Sequence, residues 1–349
     1  MKRGLLFVCL VSTVACTSEE GAPPRVVEAS LAIGADGLSE PLSFAVPPGT
    51  RSVSIVASGA TESLVGLASF VTADGTEQVA IPLDGSHAAA MQAQYVDEEI
   101  GQMPGDLFQV IRLGTYAHVY PYAPGQSLVE GTAELRVAST ATNGQVDVMI
   151  RMPEDDGAST LHVNVIAVSN TVVLGDPVSF LDDSRALLAG AGIDLVVDEV
   201  VTVADSGLNR ITDFSEPQEA PGSMSAQLAL LGRSLVASDA LNVFLVDELP
   251  FGVGGLSLGT PGPADPDSYY WGVLARYVSD DPVLARVLVH ELAHFLALHH
   301  VENRGVSGMI YPDPLDDTAP GTGNLMDDGT AISAGQAFAL SRSALLALE

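Results

Sequence analysis

The sequence predicts a multi-domain chain: an N-terminal all-β sandwich, then an α/β domain built on a mixed, twisted sheet. Three observations carry this expectation. The chain has 349 residues, more than one ordinary domain needs. Residues 26–152 break into short strands with turn residues between them and almost no helical period. From residue 158 onward, strand and helix patterns alternate. Apolar residues make up 47% of the chain and no long low-complexity tract interrupts them, so globular folding is expected throughout.

The first sixteen residues, MKRGLLFVCLVSTVAC, carry two positive charges and then a short apolar run. This is the pattern of an export signal, too short to span a membrane as a mature helix. Its end, Val14-Ala15-Cys16, resembles a bacterial lipobox, in which the cysteine is acylated and becomes the new N-terminus. Cys16 is therefore the expected lipidation site, with simple signal cleavage as the alternative. An anchor of that kind places the protein on the outer membrane or cell surface, and otherwise the chain is secreted. Both cysteines, Cys9 and Cys16, lie in this leader, so the mature chain has no disulfide. Residues 17–25 are polar and Pro-rich and read as a tether.

Within the β region the expected strands are 26–33, 41–46, 51–57, 62–73, 77–82, 106–112, 133–138 and 146–152. Pro48-Gly49, Asp74-Gly75 and Asn143-Gly144 supply turns between them. His87 and His118 are isolated and read as structural or surface residues. Pro153-Glu154-Asp155-Asp156-Gly157 reads as the boundary. In the second region, 161–168, 193–203 and 240–249 are strands, with helices at 181–191 and 224–237. Two extended segments, 254–259 and 269–277, flank a Gly-, Pro- and Asp-rich loop. A helix follows, and 332–348 closes the chain as another.

Forty-four acidic residues face fourteen basic ones, a formal charge of −30, and the sole lysine is Lys2. A field of that sign repels nucleic acid and anionic lipid, so the only expected membrane contact is the N-terminal lipid. The expected partner is a protein or peptide substrate, and the chain is expected to be a monomer.

The chemistry concentrates in the helix after residue 280. Ser279, Asp280 and Asp281 offer N-caps and Pro282 suits the first turn. The helix then runs apolar, Arg286 excepted, into His290-Glu291-Leu292-Ala293-His294. Two histidines four apart lie about 40° apart around a helix and can reach one metal ion. Glu291 stands beside them, placed to take a proton from a metal-bound water. This HExxH arrangement is a zinc peptidase signature. Such a site needs a third protein ligand and a position left for water. His300 is favoured by its spacing, with His299 as competitor. On a straight helix His300 would lie roughly 15 Å along the axis from His290. The chain must therefore turn sharply after His294. Peptidases with this spacing place Gly three residues after the second histidine, where this chain has Ala297.

HELAHFLALHH thus resembles the metzincin pattern HExxHxxGxxH at every ligand. Downstream, Asn324-Leu325-Met326-Asp327 resembles the Met-turn, which assigns Met326 as the hydrophobic base beneath the ligands. Asp316-Asp317-Thr318 and Ile332-Ser333-Ala334-Gly335-Gln336 are similar to the pappalysin and cytophagalysin type. The resemblance covers about the last 190 residues. It implies that residues 254–259, with Leu256, Ser257 and Leu258, form the edge strand that aligns peptide substrates. It also implies a transition-state tyrosine two residues after the Met, where this chain has Asp328. The acidic loop of Asp313, Asp316 and Asp317 reads either as a calcium site, as in the resembling group, or as a solvated loop. Tyr269, Tyr270 and Trp271 either line a subsite or pack in the sheet.

The expected reaction is amide hydrolysis: Zn2+ held by His290, His294 and His300 activates a water, and catalytic Glu291 moves the protons. Calcium is a second possible cofactor. The rival expectation is a surface-anchored binding or adhesion protein that works through the β-domain and keeps a weakly active or inactive peptidase scaffold. A non-proteolytic zinc hydrolase is a third.

Overall fold

A computed structural model describes residues 25–60, 62–79, 89, 91, 112–155, 157, 159–168, 178–203, 209–211, 239–268, 270–304 and 310–347. The leader with Cys16, most of the tether, His87, Tyr269, the 224–237 helix and nearly all of the 106–112 strand lie outside the described residues.

Among the described residues, nine strands precede residue 153: β1 (Arg25–Ala32), β2 (Leu42–Val46), β3 (Val53–Ser58), β4 (Leu64–Val71), β5 (Glu77–Val79), β6 (Arg112–Leu113), β7 (Thr115–Tyr120), β8 (Gly131–Ser139) and β9 (Gln145–Met152). They form two antiparallel sheets, ordered β1-β9-β3-β7 and β2-β8-β4-β5, with β6 also pairing β4. Period-two alternation sets which side chains meet between the sheets. Along β9, Val146, Val148, Ile150 and Met152 are buried, and along β8 so are Ala133, Leu135 and Val137. These join Phe44, Ile55, Leu67 and Phe70 in one core shared by both sheets. Strand β7 was not singled out in the sequence. Its buried face is built from Tyr116, His118 and Tyr120 rather than aliphatics, which blurs the apolar period. His118 is a core residue here, stacked on Tyr116 with ring centroids 6.3 Å apart.

The second half is a five-stranded sheet in the order β11-β10-β12-β14-β13. Its strands are β10 (Thr160–Val168), β11 (Asp194–Val203), β12 (Leu241–Val246), β13 (Gly255–Ser257) and β14 (Val273–Arg276). The first three neighbour pairs are parallel, and β13 joins β14 antiparallel at the sheet's edge. Every residue of β12 is buried, as a central parallel strand requires. Helix α1 (Val178–Ala189) and helix α2 (Asp281–Leu296) pack together against this sheet.

Two expected elements are corrected. Tyr270 and Trp271 precede β14 instead of belonging to it, and both are buried. Trp271 donates from Nε1 to the Ala240 carbonyl at 3.0 Å and meets Phe295 edge-on, so it is a packing residue. Residues 332–348 are not one helix. Helix α3 (Ala334–Ser341) stops at Arg342, and a 3₁₀ turn at Ala344–Ala347 follows. A short hairpin, β15 (Glu302–Arg304) with β16 (Ile310–Pro312), lies beyond α2.

The N-terminal sheets reach into the second half by named contacts. Arg151 Nε donates to the Ala264 carbonyl at 2.7 Å, in the loop between β13 and β14. Arg342 Nη1 donates to the Arg51 carbonyl at 3.2 Å. Tyr122, just past β7, is buried in the core that surrounds α2, with its ring 6.0 Å from that of His299. Truncation there removes a large aromatic from a packed interior. Tyr122→Ala should therefore lower unfolding free energy by about 3 kcal/mol in urea titration. A cost below about 1 kcal/mol would show that the N-terminal sheets do not help hold the second half.

Candidate metal centre

Helix α2 starts where its capping residues direct it. Asp280 is the N-cap and accepts from the Val283 amide at 3.3 Å, with Pro282 in the first turn. The helix is buried along one face by Leu284, Ala285, Leu288 and Leu292, and wholly from Glu291 to Leu296. Its C-terminal end is a Schellman motif. The Leu298 amide donates to the Ala293 carbonyl at 2.8 Å and the Ala297 amide to the His294 carbonyl at 3.0 Å. Ala297 has φ 127°, a positive value that a residue with a Cβ adopts only under strain.

That turn folds the chain back so that three imidazoles converge. His300 Nε2 lies 3.1 Å from His290 Nε2 and 3.1 Å from His294 Nε2. The other ring nitrogens are held by main-chain carbonyls: His290 Nδ1 by Leu325 O at 2.7 Å and His294 Nδ1 by Leu298 O at 2.7 Å. A carbonyl accepts only, so each Nδ1 must donate, leaving both Nε2 lone pairs facing the shared point. Among the described residues this is the one grouping of three or more potential metal ligands. His300 reaches solvent, which leaves the centre approachable from that side.

Burial is the main force on every nearby titration. It lowers the His290 pKa and drives His294 well below the ordinary histidine range, the neighbouring rings adding to the effect on His294. Burial and His290 bring His300 to about 4, against an opposing pull from Asp327. The rings are thus neutral near pH 7, the state a metal ligand needs. Glu291 is pushed up to about 8 by burial, partly offset by a hydrogen bond from the Ser257 backbone amide. His299 is buried beside Tyr122 and falls to about 3, again chiefly through burial.

The remaining expected residues fall into clear positions. Met326 is 1% exposed in a turn whose Leu325 carbonyl holds His290, and its own carbonyl accepts from Val301 at 3.2 Å. Asn324 anchors this turn through a reciprocal amide pair with Gln336, at 2.7 and 2.9 Å. Gln336 also closes a capping box with Ser333 at the start of α3. Asp328 is exposed, and its carbonyl accepts from Arg286 at 2.6 Å. Leu256 is half-buried on β13, while Ser257 and Leu258 are buried. Asp313, Asp316 and Asp317 do not converge on one point. Asp317 uses both carboxylate oxygens on Ser333 and Gly335 at the N-terminus of α3. Asp313 accepts from Thr318 and the Leu315 amide, and Asp316 is exposed. Sequence reasoning missed the carbonyls of Leu298 and Leu325, because a main-chain acceptor carries no residue signature. The Ser333/Gln336 capping box could have been read from its spacing.

No family model and no curated protein sequence matches the chain. Among solved structures it is similar to metalloproteinase-II from Bacteroides fragilis, at 15% identity and a TM-score of 0.31 over 46% of this chain. That match spans 50% of the Bacteroides protein's own length. It is also similar to archaemetzincin from Methanopyrus kandleri, at 12% identity and a TM-score of 0.30, covering 54% of this chain and 89% of that one.

Two expected outcomes follow from the turn and from the buried ring beside it. Replacing Ala297 by Gly removes the Cβ from a positive-φ residue, so Ala297→Gly should stabilise the protein by about 1 kcal/mol in chemical denaturation. A loss of stability would refute the strain at this turn. For His299 the folded pKa is about 3 and the unfolded value about 6.5. Above pH 6.5 both states are neutral and nothing changes. Below it the unfolded chain takes up a proton that the fold refuses, so stability is lost as pH falls. In metal-free protein, the stability of His299→Gln relative to the parent should therefore improve by about 2 kcal/mol between pH 7.5 and pH 5. An unchanged difference would refute the buried, neutral ring.

Proposed function

We propose that the chain is a zinc-dependent endopeptidase of metzincin type, exported and held at a membrane surface through Cys16. The observation that carries this reading is the convergence of three Nε2 atoms, with the His290 and His294 rings oriented by main-chain carbonyls and a buried glutamate between them on α2. Three converging imidazoles, two of them with Nδ1 held by carbonyls, suit zinc, a borderline ion that favours nitrogen donors and keeps one position for water in catalytic sites. His290, His294 and His300 would hold it. Zinc bound there supplies Lewis acidity, which activates a water and polarises the scissile carbonyl.

The chain's own groups do the rest. Glu291 accepts the proton given up by the attacking water and returns one to the leaving amine. Strand β13 lies at the edge of the sheet, and its register leaves the Gly255 amide and the Gly255 and Ser257 carbonyls facing away from β14, the Ser257 amide being turned to Glu291. A peptide can add along that edge by main-chain pairing. Met326 fits the Met-turn assignment by its burial and by the turn's hold on His290. The nearer likeness to the pappalysin type rests on sequence motifs alone.

The test is direct. Mature protein should carry one zinc per chain and cleave casein or gelatin. Glu291→Ala should keep the zinc and lose at least about 100-fold of the cleavage, and His300→Ala should lose the zinc. Stoichiometric zinc with no Glu291-dependent cleavage would defeat the peptidase reading in favour of a surface binding protein. A chain that binds no zinc would defeat the site.

A further inference from the structure

Strand β13 does more at this site than border the sheet. A Cβ built on Gly255 would lie 2.4 Å from Cγ of Glu291, 2.7 Å from its Oε1 and 2.8 Å from its Cδ, and these are its three nearest atoms. Real Cβ atoms do not approach so closely. The Gly255 backbone is outside the left-handed region, so its conformation alone would admit alanine. What the glycine supplies here is space. Two residues on, the Ser257 backbone amide donates to the same carboxylate. Gly255 and Ser257 are successive outward positions of the strand, since Arg276 N–H to Gly254 O and Leu258 N–H to Gly272 O mark the intervening residues as those bonded to β14.

One outward position thus leaves a void and the next offers a donor, and the Glu291 side chain occupies both. The strand has little freedom to withdraw. It is paired to β14, whereas the Glu291 atoms that a methyl group would meet belong to a flexible side chain. A methyl group at position 255 therefore moves the glutamate side chain rather than the strand.

We propose that Gly255 is a positioning residue: by lacking a side chain, it lets the edge strand seat the Glu291 carboxylate against the Ser257 amide. This rests on the peptidase reading for its functional consequence but on geometry alone for the seat. The strand that would align a substrate then also sets where the proton acceptor sits.

The experiment is Gly255→Ala in the full-length zinc-loaded chain, beside the parent and Glu291→Ala, with three readouts. Zinc content should remain one per chain. Amide hydrogen exchange at Ser257 should accelerate in Gly255→Ala to the rate seen in Glu291→Ala, because both lose the acceptor. Casein-peptide cleavage should lose about 100-fold or more in kcat with KM little changed. Gly255→Ala with parental Ser257 protection, with parental kcat, or with lost zinc would each overturn the proposal. If the parent itself cleaves nothing, the peptidase reading fails, and Ser257 exchange still decides whether Gly255 seats the glutamate.

Discussion

The reversal of the chain at Ala297 is the constraint on which the rest of the centre depends. A helix alone can bring His290 and His294 to one point, but every further residue on it climbs away. Ending the helix with a left-handed turn two residues after Phe295 sends the chain back, and His300 arrives 3.1 Å from both partners. The same turn exposes the Leu298 carbonyl to His294 Nδ1. One backbone event therefore delivers a ligand and orients another. Using alanine for it stores strain of about 1–2 kcal/mol, which the surrounding packing must offset. Leu296, Ala297, Leu298 and Val301 are all buried in the core around α2, and Tyr122 closes over His299 from the N-terminal half.

The fold was legible where side chains repeat with a period and obscure where they do not. The parallel strands β10 and β12, rich in Val, Ile and Leu, fall close to where the sequence predicts them. So does α2, whose cap at Asp280 and proline at 282 are chemical signals rather than statistical ones. Strand β7 was missed because its inward face is aromatic and imidazole. Trp271 was drawn into a strand by its β-propensity, although its indole N–H ties it to Ala240 ahead of the sheet. The closing helix is predicted too long because no proline interrupts residues 332–348. The break at Arg342 comes from tertiary contact, where its guanidinium reaches Arg51 and lies 4.4 Å from the Phe338 ring.

In the centre itself a similar division holds. His290, Glu291 and His294 announce themselves by spacing, and His300 follows once a turn is required. What orients them does not, because it is main chain: Leu325 O, Leu298 O and the Ser257 amide. Any residue could supply those groups, so only topology reveals them. The acidic loop shows the reverse case. Asp313, Asp316 and Asp317 look like one cluster in sequence, yet Asp317 belongs to the N-terminus of α3, where its charge suits the helix dipole.

These main-chain holds explain how the centre tolerates its departures from the resembling pattern. The reciprocal Asn324–Gln336 pair fixes the 324–327 turn to α3, and through that turn the Leu325 carbonyl fixes His290. On the other side, β13 lies against α2 closely enough that a Cβ at position 255 would collide with Glu291, and one at position 254 would crowd Val287. Helix α2 is thus gripped by backbone from two directions, and neither grip involves the side chains of Ala297 or Asp328. A residue change at either position leaves both grips in place. What does not tolerate change is any position where a backbone group must come close, and against this helix that position is Gly255 of β13.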